Sequence, residues 1–98
     1  CATVQEGSVT WGENGAFTAG TDSVVTFAAV IKTDGDYDLT VQSSASVEAA
    51  VGDTAVALDA SGKSTQPVHD LGDTENATTI TLRVPAGTTV SHVTYMKK

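Results

Sequence analysis

The chain has 98 residues, a formal net charge of −7 and a sequence pI near 4.3, and 40% of its residues are apolar. A chain of this length encloses one core, so we expect residues 1–98 to form a single domain. The acidic surface repels phosphate groups, which makes nucleic acid and anionic membranes poor partners. The longest apolar run, residues 24–31, is interrupted by Thr26 and is far too short to cross a bilayer, so we expect no membrane-spanning segment.

Apolar and polar residues alternate through much of the chain, which is the pattern of half-buried β-strands. In residues 23–31, by contrast, apolar side chains occupy both odd and even positions. This predicts a central strand covered on both sides. The predicted strands, in chain order, are residues 2–5, 8–11, 23–31, 37–42, 46–51, 54–58, 68–71, 77–84 and 90–96. They predict an all-β fold, a single antiparallel β-sandwich or jelly roll of about eight strands.

Glycine, proline and small polar residues predict the turns and loops between these strands. The Asp34-Gly35 pair predicts a tight hairpin between strands 23–31 and 37–42, because glycine tolerates positive φ there. Gly52-Asp53 predicts a second hairpin, and residues 85–87 predict a turn. The remaining loops are predicted at residues 12–15, 20–22, 59–67 and 72–76.

Three aspartates, Asp34, Asp36 and Asp38, alternate along the chain as do the first ligands of a calcium-binding loop. The sixth position of that frame is Leu39 instead of glycine and the twelfth is Ala45 instead of glutamate. We therefore favour a solvated hairpin whose carboxylates protect a sheet edge, and we predict no metal site and no cofactor.

The two histidines, His69 and His92, belong to different predicted strands and have no second histidine or cysteine at ligand spacing. No nucleophile motif of the Gly-x-Ser-x-Gly type is present. We interpret both histidines as surface or edge-strand residues and predict no catalytic residues, so the chain is not expected to be an enzyme.

The five aromatic residues are the remaining candidates for a binding site. Tyr37 alternates with Leu39 and Val41 and is expected to face inward. Trp11 adjoins a glycine-rich loop and is the better exposed candidate, although a core position is favoured because aromatic residues dominate core energetics. If Trp11 is exposed, it and Asn14 would hold a glycan by stacking and hydrogen bonding.

A cysteine at position 1 is compatible with removal of an initiator methionine, with lipidation after signal cleavage, or with a cloning remnant. We favour methionine removal or simple processing, because strand-forming residues follow at once.

Residues 23–41, SVVTFAAVIKTDGDYDLTV, resemble a strand, turn and strand of carbohydrate-binding modules with galactose-binding-like sandwiches. Residues 79–87 look like a later strand of these modules with its Pro-Ala-Gly corner. The resemblance implies a β-sandwich that binds a sugar outside the cell, secreted or at the cell surface.

The chain is short, acidic and rich in Ala, Thr, Val, Gly and Asp, and in this composition it resembles the small decoration or cement proteins of tailed-phage capsids. This resemblance implies a non-catalytic structural protein that binds a larger assembly in the virion, as a homo-oligomer or on a capsid-like shell. We expect this function first. The alternatives are an extracellular carbohydrate-binding module and an adhesin or filament subunit.

Overall fold

The structure is a computed structural model that describes residues 2–31, 33–68 and 76–98. Within these residues there are ten strands and a short 3-10 helix at Glu13–Gly15. The strands are β1 (Ala2–Glu6), β2 (Val9–Trp11), β3 (Phe17–Ala19), β4 (Ser23–Ile31), β5 (Gly35–Ser43), β6 (Glu48–Val51), β7 (Thr54–Val56), β8 (Lys63–Val68), β9 (Asn76–Val84) and β10 (Thr89–Lys97).

The strands form two five-stranded antiparallel sheets. Sheet A has the order β1-β4-β9-β6-β7, and sheet B has the order β2-β3-β10-β5-β8. The predicted all-β antiparallel sandwich is therefore confirmed, with ten strands instead of about eight. No helix in the described part of the chain is long and apolar enough to span a membrane.

The core lies between the two sheets and is built from alternate residues of each strand. In β9, Ile80, Leu82 and Val84 are buried, whereas Thr79 and Arg83 are exposed on the outer face of sheet A. Burying each of these aliphatic side chains contributes about 1.5–3 kcal/mol relative to leaving it in water. The alternation in the sequence thus sets which face of each strand is turned inward.

The prediction that residues 23–31 are covered on both sides is wrong. The bounds of β4 agree with it, and β4 is central in sheet A. Its inward residue Val25 is 0% exposed, but Val30 on the opposite face is 59% exposed. Although apolar residues occupy both odd and even positions of β4, no further layer of the described chain covers its outer face.

The predicted hairpin at Asp34-Gly35 is also wrong, because β4 and β5 belong to different sheets. β4 pairs with β1 and β9, and β5 pairs with β10 and β8, so the chain passes from sheet A to sheet B between Ile31 and Gly35. Gly35 has φ of 150°, and a Cβ there would lie 2.7 Å from Cε of Lys97. The glycine is thus explained by its positive φ at the start of β5 and not by a two-residue turn, since the end of the flexible Lys97 side chain could move aside.

Two strands were not expected from the sequence. Most of the predicted loop 59–67 is strand β8, which pairs with β5 along its length. β3 lies between the predicted loops 12–15 and 20–22, where no strand was expected, and it pairs with both β2 and β10. Backbone pairing, which does not require a strongly apolar sequence, stabilises both strands.

The other turns agree with the predictions where they are described. β6 and β7 form the hairpin expected at Gly52-Asp53. Residues 85–87 form a turn, in which the Thr88 amide donates to the Pro85 carbonyl at 3.1 Å. Most of the predicted strand 68–71 and loop 72–76, with His69, lies outside the described residues, but Val68 ends β8 and Asn76 begins β9.

Candidate functional site

The β2–β3 hairpin holds Trp11 at one side of the sandwich. Trp11 lies opposite Phe17 in the hairpin, and their ring centroids are 5.2 Å apart with an interplanar angle of 57°. Phe17 in turn contacts Phe27 of β4, with centroids 6.4 Å apart. Because Phe17 is only 2% exposed, these contacts anchor Trp11 to the core.

Trp11 itself is 47% exposed, so the expectation that it belongs to the core is wrong. β2 is only three residues long and lies at the edge of sheet B, where no further strand of the described chain packs beside it. One part of the indole packs on Phe17, and the rest faces solvent. A fixed and half-exposed aromatic ring is suited to stacking against a ligand.

The loop that joins β2 to β3 carries Asn14 beside this ring. The Gly12 amide donates to the Ala16 carbonyl at 2.8 Å, and the Ala16 amide donates to the Glu13 carbonyl at 3.1 Å. Asn14 has φ of 56° and ψ of 31°, a left-handed conformation that asparagine adopts more readily than most residues. These bonds hold the loop in a defined shape, with the Asn14 side chain exposed.

Trp11 and Asn14 line one groove of about 600 Å³, which we call the Trp11 groove. Sheet A contributes Ala2 and Phe27, and sheet B contributes residues 90–93 of β10. The structure thus brings together the two residues that the sequence suggested for glycan binding. It adds Phe27 and the β10 segment, which no local pattern in the sequence connects with Trp11.

The β10 wall of the Trp11 groove contains a change of register between Val90 and His92. The extra residue at this bulge is Ser91, whose hydroxyl donates to the Gln42 carbonyl at 3.1 Å. Ser91 and His92 are both exposed, and β10 is an interior strand of sheet B. His92 is therefore a surface residue but not an edge-strand residue, and the bulge places polar groups along the groove.

A second and larger groove, of about 820 Å³, lies between β5 and the β6–β7 hairpin, beside residues 57–62. Small side chains make up most of its lining, and no aromatic residue is among them. Its Asp59 carboxylate accepts hydrogen bonds from the Ser61 hydroxyl at 2.6 Å and from the amides of Ser61 and Lys63. These bonds, the Ser61 hydroxyl foremost, lower the Asp59 pKa and shape the local turn. We favour the smaller Trp11 groove as the candidate site because it has the stacking surface.

The two tyrosines lie away from the Trp11 groove and pack against each other, with centroids 5.4 Å apart and an interplanar angle of 17°. Tyr37 is buried, which confirms its predicted inward orientation, and its hydroxyl donates to the Thr33 carbonyl at 2.8 Å. The buried hydroxyl oxygen of Tyr95 has no partner among the described residues. Burial, and to a smaller extent the neighbouring Tyr37, raises the Tyr95 pKa.

The aspartate run does not form a ligand loop of the calcium-binding type. Asp36 and Asp38 lie in the regular strand β5, and the Asp38 carboxylate accepts a hydrogen bond from the Thr65 hydroxyl of β8 at 2.5 Å. Among the described residues, no three His, Cys, Asp or Glu side chains are grouped closely enough to hold a metal ion.

In comparisons with known proteins, no family model, no curated protein and no solved structure matches the chain.

Proposed function

We propose that this chain is a non-catalytic binding module that holds a neutral sugar in the Trp11 groove. The observation that carries the proposal is the half-exposed ring of Trp11, fixed on Phe17 and placed in one groove with Asn14. The C–H face of a pyranose packs well on such a ring. The Asn14 amide offers both donors and an acceptor to sugar hydroxyl groups.

The charge of the chain favours a neutral ligand. A net charge of −7 disfavours the approach of sulfated or carboxylated glycans, because the summed field acts over the whole surface.

The first experiment is a glycan screen followed by titration of the strongest neutral saccharide. Trp11 is the only tryptophan, so its fluorescence reports directly on the groove. We expect saturable quenching or enhancement on binding. The Trp11→Ala variant, followed by calorimetry, should weaken binding by about tenfold or more, the equivalent of about 1.4 kcal/mol.

Met96→Ala is the matched control, because Met96 is also an exposed large apolar residue and lies outside the groove. It should bind with unchanged affinity. Equal binding by the wild type and Trp11→Ala, with both variants folded, would contradict the proposal. If Trp11→Ala does not fold, Trp11→Phe takes its place in the test, because it retains packing on Phe17 and reduces the stacking surface.

A second candidate is the structural function, in which copies of the chain associate as part of a larger assembly such as a viral shell. The outer face of sheet A favours it. Thr3, Thr26, Thr81, Ala50 and Ala55 lie side by side across all five strands of this sheet. In an acidic chain, an uncharged row of small side chains lets a second copy approach with less repulsion than a surface lined by carboxylates.

Light scattering across a dilution series tests this candidate. We expect a dimer or larger species that dissociates on dilution, and a monomer at all concentrations for Thr81→Glu, which adds like charges to the contact. Thr94→Glu is the control, because Thr94 is exposed on β10 of sheet B. A wild-type monomer at the highest concentration contradicts self-association.

A further inference from the structure

The structure assigns Asn14 as a site of spontaneous deamidation, and we infer that this reaction places a new carboxylate on the rim of the Trp11 groove. Asn14 is followed by Gly15, and this is the only Asn-Gly pair in the chain. The inference depends on the chemistry of this loop and not on whether the groove binds a sugar.

The reaction is balanced with water alone. The amide nitrogen of Gly15 attacks Cγ of Asn14, the new C–N bond closes a five-membered succinimide, and ammonia leaves with the side-chain nitrogen. Water then opens the succinimide at either carbonyl and gives aspartate or isoaspartate. Glycine promotes the ring closure because it has no Cβ to hinder the attacking nitrogen.

The surroundings of Gly15 leave the loop room for this step. A Cβ built on Gly15 meets no atom within 4 Å, so the backbone there has open space. Asn14 and Gly15 are both exposed, which gives water access to the carbonyl groups. The hydrogen bonds that close the loop join Gly12, Glu13 and Ala16 and so enclose the reacting pair, and ring closure requires Asn14 to rotate away from its ψ of 31° within this exposed loop.

The other asparagine provides an internal comparison. Asn76 is followed by Ala77, and it is the first residue of β9, which pairs with β4 at Ile31. Backbone pairing restricts the rotation that ring closure needs, and the alanine Cβ hinders attack. We therefore expect Asn14 to react and Asn76 to remain intact over the same period.

The product changes the groove in two ways. Both aspartate and isoaspartate replace a neutral amide with a carboxylate, and each conversion raises the mass by about 1 Da. Isoaspartate also routes the backbone through the side-chain carbon, which lengthens the loop between Trp11 and Phe17. A module of this kind therefore changes the charge of its groove with age.

The test is to incubate the folded protein in mildly alkaline buffer at body temperature and to follow its tryptic peptides by mass spectrometry. Trypsin separates the two asparagines, since residues 1–32 contain Asn14 and residues 64–83 contain Asn76. We expect a gain of about 1 Da that accumulates with time in the first peptide only. Isoaspartate in that peptide should be detected by enzymatic methylation.

Gly15→Ala and Asn14→Gln are the variants to compare. Gly15→Ala should slow the conversion at least about tenfold, and Asn14→Gln should abolish it over the same period. Because Gly15 has φ of 79°, circular dichroism should confirm that the alanine variant is folded. A synthetic peptide of residues 11–17 gives the rate of the unfolded loop. If the peptide converts while Asn14 in the folded protein stays intact, the fold protects this residue and the inference is wrong.

Discussion

Trp11 and Phe17 face each other across the β2–β3 hairpin, but Trp11 is 47% exposed and Phe17 is 2% exposed. The same pair thus joins the rim of the groove to the core of the sandwich. Substitutions at the two positions should have different consequences, although the residues are in contact.

We expect Phe17→Ala to destabilise the fold by about 3–5 kcal/mol, because it leaves a cavity where the two sheets meet. Trp11→Ala should cost about 1 kcal/mol, since half of its side chain already faces water. Urea unfolding monitored by circular dichroism measures both. Comparable losses of stability would show that Trp11 is a core residue and would weaken the proposed site.

Gly62 packs against the Val41 backbone where the chain passes from β7 to β8. Its carbonyl accepts a hydrogen bond from the Val41 amide at 2.8 Å, and a Cβ at Gly62 would overlap the Val41 carbonyl oxygen. Gly87 has nearly the same φ, 83° against 81°, but open space around its Cβ position. It is therefore a matched control for the steric effect alone.

We expect Gly87→Ala to cost about 1–2 kcal/mol, the strain of a left-handed conformation for a residue with a Cβ. Gly62→Ala should cost more, because the overlap adds to this strain and displaces β8 from β5. Thermal and urea unfolding give the two values. Equal losses at the two positions would mean that the backbone conformation accounts for the whole effect.

Tyr37 and Tyr95 stack on each other, but their hydroxyl groups differ. We expect Tyr37→Phe to lower the free energy of unfolding by about 1 kcal/mol, because the hydrogen bond to Thr33 is lost. Tyr95→Phe should leave stability unchanged or raise it, since its buried hydroxyl has no partner within residues 2–31, 33–68 and 76–98. Chemical denaturation of the two variants in parallel tests the contrast. A clear loss for Tyr95→Phe would reveal a partner for that hydroxyl.

Asp59 gives a pH dependence whose direction follows from its hydrogen bonds. Its pKa is lowered in the folded protein, chiefly by the Ser61 hydroxyl, so the carboxylate stabilises the fold at pH values above the unfolded pKa. This contribution is lost as the pH falls through the lowered folded pKa. Asp59→Asn should therefore be less stable than the wild type at neutral pH, and the difference should vanish in acid.

Unfolding of both proteins across a pH series measures this difference. Asp53→Asn, at the exposed β6–β7 turn, serves as the control for removing one negative charge from an acidic chain. A wild-type advantage that stays constant down to acid pH would contradict a role for the ionised carboxylate.

The sequence predicted those parts of the fold in which the residue pattern and the pairing agree. Residues 77–84 alternate, residues 23–31 are apolar at most positions, and the two segments form the interior strands β9 and β4 of sheet A. β8 was assigned to a loop because serine, threonine and proline are typical of loops, whereas the edge of β5 supplies its hydrogen bonds. The Asp34-Gly35 pair has the residues of a tight turn, but the pairing partners of β4 and β5 lie elsewhere in the chain.

The same distinction applies to the candidate site. Trp11 and Asn14 were found because they are neighbours in the sequence. Phe27 and His92 line the groove only because β4 of sheet A and β10 of sheet B both lie beside the β2–β3 hairpin. That approach depends on strand order, which alternation alone does not specify.

The strand order also has a consequence for how the groove forms during folding. The β2–β3 and β6–β7 pairs join consecutive strands, whereas the other pairs of the two sheets join strands that are distant in the chain. Contacts between distant strands form slowly, because the long chain segments that separate the strands must be ordered first. The hairpin that carries Trp11 is thus able to form early, while β10 docks only after residues far along the chain have arrived. Fluorescence of Trp11 would then report the later step in which β10 closes the second wall of the groove.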